Sequence, residues 1–266
     1  MSTTISAGLV KELRDATGAG MMDCKRALEE TGGDLEAART LLRERGMASA
    51  GKRAGRETTE GLVGFILDGN VGSIVGIGCE TEPVSKSDEF QEFATAVLRG
   101  IHADGPEAAD SFEEQRIELI AKLGENIVVV KPTRFEASEG HVLGAYAHPP
   151  ANKIGVLVQL RGGDADLGRR VAMHVAASPS TQWIGRDDVP ADTVTSERDI
   201  YANSDEVQSK PEQAREKIVD GMLNKRFFAQ TVLTDQEWIH DGSRTVGQAL
   251  QEAGAEVLEF ERFQLA

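Results

Sequence analysis

GLVGFILDGNVGSIVGIGCE, residues 61–80, is the stretch that decides the fold. Leu62, Phe65 and Leu67 lead into Asp68-Gly69-Asn70, and Ile74, Val75 and Ile77 lead out. Apolar runs on either side of an Asp-Gly turn predict a β-hairpin. Downstream, Phe90, Phe93, Ala94, Val97, Leu98 and Ile101 recur at helical spacing. A second helix is expected to open at Ser111, with Glu114 completing a capping box, and to stop before Gly124. A strand at 127–130 closes the unit. Hairpin, helices, then a return strand gives a three-stranded antiparallel sheet with helices on one face.

The same order recurs further along. HVLGAYA and KIGVLVQL flank a Pro-Pro loop within residues 141–160. A helix capped by Asp164 follows, with Leu167, Val171 and Val175 on one stripe. A strand is expected at 257–265. Arg134-Phe135 near the first end matches Arg262-Phe263 near the second. The reading is α+β, with two related subdomains at 61–140 and at 141–180 joined to 229–266. Residues 181–228 interrupt the second. They are polar, with Pro211 suited to a first helical turn and a thin stripe of Ala214, Ile218 and Met222. They read as an inserted helical hairpin, either a solvated surface or a face that packs on a partner.

Upstream, residues 1–46 read as three short helices. Leu9, Val10 and Leu13 mark the first, which Thr17-Gly18-Ala19-Gly20 breaks. Met21, Met22, Ala27 and Leu28 mark the second. Asp34 caps a third, lined by Leu35, Ala38, Leu41 and Leu42, with Gly46 at its C′ position. ALEETGGDLEAARTLL resembles the ubiquitin-associated (UBA-like) three-helix fold, which speaks to fold alone. Residues 47–60, MASAGKRAGRETTE, read as a basic linker or frayed helix. Gly46 to Lys52 spells most of a phosphate-binding loop, but Arg53 stands where magnesium needs Ser or Thr, and a helix precedes it.

Composition bounds the function. The 266 residues carry 44 acidic and 29 basic side chains, a formal charge of −15. Residues 1–60 are neutral, with 10 of each sign, so the acidity lies in the body and points to separate domains. An acidic body argues against direct nucleic-acid binding. No apolar run approaches the ~20 residues of a membrane span. The N-terminus lacks a secretory pattern, and two cysteines, Cys24 and Cys79, imply a reduced, cytoplasmic setting.

No enzyme constellation emerges. GxSxG and HExxH are missing, and Gly76-Ile77-Gly78 lacks the third glycine of a dinucleotide site. None of the five histidines lies at i,i+3 or i,i+4 from another, and His174 falls on an apolar helical stripe, where a buried, hydrogen-bonded ring is the plain reading. The expectation is a non-enzyme with no catalytic residue, no metal ligand and no cofactor.

LRDATGAGMMDCKRAL (13–28), KLGEN (122–126), KIGVLV (153–158), MHVAAS (173–178) and KIVDGMLNKRFF (217–228) together resemble the elongation factor Ts family, over nearly the whole chain. That resemblance implies a guanine-nucleotide exchange factor for the translation GTPase elongation factor Tu, binding its GDP-bound and nucleotide-free forms. It implies GTPase contacts at Arg14, Met21, Met22 and Lys25 in the head, and at Leu123, Gly124, His148 and His174 in the body. Each methionine is equally well read as core packing of the head. The family's loop Thr-Asp-Phe-Val, which disturbs the magnesium site, reads Thr81-Glu82-Pro83-Val84 here. Pro83 loses the aromatic ring, fixes φ, and biases Glu82 toward extended geometry. A binding-only relative with weakened exchange is therefore the alternative, and a ubiquitin-associated-type binding module on an unrelated scaffold a more distant one. The inserted hairpin leaves a homodimer open. Contacts that some relatives make through a C-terminal helical tail are not expected of a chain ending at Ala266.

Overall fold

In the computed structural model, residues 5–265 are described; the first four residues of the expected 1–46 module, and Ala266, lie outside them. The head is α1 (Ala7–Thr17), α2 (Met21–Glu30) and α3 (Leu35–Arg53). Helix starts leave backbone N–H groups unpaired. Ser6 Oγ takes the Leu9 N–H, and Asp34 Oδ1 takes those of Glu36 and Ala37. Val10, Leu13, Cys24, Ala27, Leu28 and Ala38 form the core of the head.

The expected helix end at Gly46 is corrected. Gly46 is buried inside α3, which continues through the first half of the expected 47–60 linker to Arg53. The reason is tertiary: Ala50, one turn further, is buried in the core of the next unit. That packing outweighs the ~1 kcal/mol a mid-helix glycine costs.

The first unit begins with the hairpin β1 (Glu60–Asp68) and β2 (Val71–Cys79), with Asp68 opposite Val71. Then come α4 (Glu82–Ser85), α5 (Asp88–Asp104), a 3₁₀ stretch (Pro106–Phe112), α6 (Glu113–Leu123) and β3 (Ile127–Glu136). The sheet order is β1-β2-β3, all antiparallel. The apolar stripe expected on α5 covers one face of it. Two expectations are corrected. The capping box at Ser111 is absent, because Ser111 lies in the 3₁₀ stretch and its hydroxyl donates to Ala108 O. The strand expected at 127–130 runs to Glu136, past a register shift between Ile74 and Gly76. A bulge inserts a residue without ending the ladder.

The second unit repeats this plan with β4 (His141–Ala147), β5 (Ile154–Arg161) and α7 (Ala165–Ala177), which Asp164 caps. The insert follows as α8 (Ala191–Ala202), α9 (Asp205–Gln208), α10 (Glu212–Met222), a π turn (Leu223–Phe228) and α11 (Ala229–Thr231). Helix α12 (Val246–Glu252) and β6 (Glu256–Gln264) complete a sheet ordered β4-β5-β6. Pro211 precedes α10 as its cap rather than sitting in its first turn. The insert's inward stripe is Val219, Met222, Leu223 and Phe227, packed with Val189, Val207 and Val232. Ala214 and Ile218 are half-buried beside it. The two sheets meet through Val63, Ile74, Ala145, Leu157, Phe263 and Leu265.

Candidate protein-contact surface

Strand β2 delivers the chain to Thr81, which is extended at φ −132° and caps α4. Glu82 and Pro83 open that single helical turn, so the expected extended Glu82 is corrected. A proline near a helix start loses no hydrogen bond there, since those N–H groups have no intrahelical partner. Thr81, Glu82 and Pro83 are exposed, while Val84 leans onto the core of the first unit. Glu82 pairs with Lys86 at 2.6 Å, and this hydrogen bond holds its carboxyl below the ordinary range.

A second loop is tied to this turn. Gly124 ends α6 in the left-handed region, at φ 77°, which glycine adopts without strain. The next residue, Glu125, faces back. Its carboxylate accepts the N–H groups of Glu80 (3.1 Å) and Thr81 (2.9 Å) and the Thr81 hydroxyl (2.5 Å). In return Glu80 Oε1 accepts the Asn126 N–H at 2.7 Å, and Asn126 Nδ2 donates to Arg56 O at 2.9 Å. Leu123 and Gly124 are thereby stapled beside the Thr81–Val84 turn. Cys79 lies beneath; burial, then the Glu125 charge, push its thiol up to about 12.

The loop bearing His148 reaches the same end of the first sheet. Asn152 O accepts the Val63 N–H at 2.6 Å, and Lys153 Nζ pairs with Glu60 at 2.6 Å; Glu60 stands opposite Cys79 in the ladder. His148 is exposed, with Tyr146 Oη 2.9 Å from its Nδ1.

On the head, Met21 and Met22 are 56 % and 62 % exposed, so neither serves the core. Arg14 and Lys25 are exposed as well, with Lys25 3.7 Å from Glu29. Adjacent unburied methionines form a flexible, polarisable apolar surface suited to a protein partner.

His174 does not join these groups. It is 1 % exposed, stacked on Trp238 at 5.3 Å, with Nε2 2.8 Å from Gln236 Oε1. Gln236 Nε2 donates to Gln230 O, so its oxygen faces the ring and Nε2 must carry the proton. Nδ1 then accepts the Ile239 N–H. Burial lowers the ring's pKa and keeps it neutral.

Apart from an acid straight after a helix-ending glycine, no local pattern in the sequence marks Glu125, Asn126, Glu80 or Lys153 as site residues. Among the described residues no group of three or more His, Cys, Asp or Glu is placed to hold a metal ion, and no helix is long and apolar enough to cross a membrane.

The chain is α+β, with a helical head and two repeated three-stranded units. Residues 80–266 match the family model described as Elongation factor TS. An elongation factor Ts of Idiomarina loihiensis is 42 % identical over 271 residues, covering 98 % of this chain and 91 % of that relative. The one from Thioalkalivibrio sulfidiphilus is 41 % identical over 98 % of this chain and 92 % of its own length. An Escherichia coli relative of the same name is 43 % identical over 98 % of this chain and 91 % of its own. The chain belongs to the elongation factor Ts family.

Proposed function

We propose that this chain is the exchange factor of elongation factor Tu: it binds the GDP-bound GTPase in the cytoplasm, promotes GDP release and leaves the pocket free for GTP. No bond is made or broken in that cycle. Met21 and Met22, flanked by Arg14 and Lys25, dock on the GTPase domain. The Thr81–Val84 turn, with Leu123, Gly124 and His148 around it, approaches the magnesium and phosphate site. Glu82 brings an ionised carboxylate there and Pro83 a stiff apolar edge. His174 acts from beneath, by holding the Trp238–His240 segment. The insert is the surface we assign to a second partner contact, a further copy of the chain among them.

Linkage sets the energetics. Whatever free energy favours this chain on the empty GTPase must weaken nucleotide by the same factor. A ~10⁴-fold weakening needs roughly 5.5 kcal/mol of differential binding, within reach of a few buried anchors. The observation that carries the reading is the Glu125 staple, which ties the turn to the α6 loop. Release of a fluorescent GDP from elongation factor Tu tests it. The chain is expected to accelerate release, and Glu125→Ala to lose about tenfold of that gain. An unchanged release rate with the unmutated chain overturns the proposal.

A further inference from the structure

Helix α3 belongs to two cores at once. Ala38 is buried in the head and Ala50 in the first unit. Between them Gly46 lies against α6, where a Cβ would stand 3.3 Å from Ala121 Cβ and 3.9 Å from Ile117 Cγ2. A Cβ at 3.3 Å is tighter than ordinary packing, so Ala121 or the helices must give, and a longer side chain crowds the joint further. Two more ties hold the same joint. Arg43 Nη2 pairs with Glu114 Oε1 at 2.9 Å. The stem of Lys122 covers Gly18 in the α1–α2 turn, and its Nζ pairs with Glu89 of α5 at 3.1 Å.

Helix α6 also ends at Leu123 and Gly124, beside the Glu125 staple. It thus carries the head on one face and the Thr81–Val84 turn at its C-terminal end. Eleven residues make a rod of roughly 16 Å.

We infer that Gly46 and Lys122 are positioning residues. They fix the distance and angle between the Met21–Met22 surface and the Thr81–Val84 turn, so that both engage one GTPase together. This rests on the function proposed above. Two contacts on a rigid support act as one, because after the first forms the second is intramolecular; the gain vanishes when geometry forbids both. A displaced head therefore raises the concentration of chain needed for half-maximal GDP release. The maximal rate, set by the turn, stays.

The test uses the full chain with Gly46→Leu and, separately, Lys122→Ala. Spin labels at Glu12→Cys on α1 and Asp68→Cys on β1 report the head's placement without any GTPase, Cys24 and Cys79 being buried. Gly46→Leu is expected to shift or broaden that distance distribution. Its half-maximal concentration should rise at least tenfold with the maximal rate within twofold, and Lys122→Ala should move the same way by less. Adding Met21→Ala and Met22→Ala to Gly46→Leu should cost under twofold more, although the same pair is costly in the unmutated chain. Gly46→Ala with Ala121→Gly should behave as unmutated. An unchanged distance distribution, or a half-maximal concentration within twofold, overturns the inference; so does a parallel loss in both kinetic parameters. Should Gly46→Leu not fold, Lys122→Ala alone decides by the same split. If the unmutated chain leaves GDP release unchanged, the function fails, while the spin-label arm still decides the joint.

Discussion

The two sheet units share a plan and differ in what joins their long helix to the return strand. In the first, Arg134 on β3 donates from Nε to His102 O, near the end of α5, and from Nη1 to Glu136 two residues on. In the second, Arg262 on β6 donates to Val175 O and Ala176 O, near the end of α7, and to Gln264 two residues on. Each arginine donates to carbonyls in the last turn of a helix, where few helical donors remain; Val175 O accepts the Ser178 N–H as well. The Arg-Phe repeat is thus a bracket of the scaffold. The connections diverge. The first unit spends its connection on α6, which holds the head and the stapled loop. The second spends it on the insert and the segment that His174 clamps. Scaffold residues recur between the units; of the residues proposed for partner contact in the body, Thr81–Val84, Leu123, Gly124 and His148 lie in connections and turns.

A matched glycine pair probes the difference most sharply. Gly64 on β1 and Gly144 on β4 hold like places in their strands. A Cβ on Gly64 would meet the tips of Leu98, at 3.2 Å, and Leu62, at 3.7 Å. On Gly144 it would overlap the backbone of Gly168, because α7 rests backbone to backbone on its sheet. Gly144→Ala is expected to cost about 3 kcal/mol in denaturant unfolding, and Gly64→Ala under about 1 kcal/mol, since a flexible tip can yield. Equal losses would break the comparison.

Next come the brackets. Arg134→Ala and Arg262→Ala should each cost about 2 kcal/mol, the usual scale for hydrogen bonds from a charged donor. Unfolding curves check this. Arg262 faces Gln264 rather than a carboxylate, and burial pushes its guanidinium down, so a larger loss at Arg134 alone would mean that Glu136 carries the effect.

The smallest effect concerns acid. The folded state lowers the pKa of His174, so below the unfolded value of about 6.5 the unfolded chain takes up the proton first. Its stabilising contribution is complete above that pH and is lost as the pH falls below it, by no more than about 1.4 kcal/mol per unit. His174→Gln should flatten the fall in Tm between pH 7.5 and 5.5. An equal slope in both proteins contradicts the neutral, buried ring.

The hairpin at 61–80, the α5 stripe and the Asp164 cap were legible because each is local: alternation, helical spacing and a capping side chain need no distant partner. Gly46 was misread for the same reason. A glycine after an apolar stripe looks like a helix end, and only Ala121, far along the chain, reveals a close crossing. Glu125 and Asn126 were missed because their partners, Thr81 and Arg56, lie 44 and 70 residues away. His174 was rightly placed on an apolar stripe, but Gln236 and Trp238 arrive from beyond the insert. Met21 and Met22 were ambiguous until burial was known, since adjacency on a helix does not say which faces solvent.

Calorimetric titration of the chain into elongation factor Tu, once stripped of nucleotide and once loaded with magnesium and GDP, is the most direct test. The account predicts affinity for the stripped form about 10⁴-fold tighter, roughly 5.5 kcal/mol. Equal affinity for the two forms would contradict it, since a ligand without preference shifts no equilibrium.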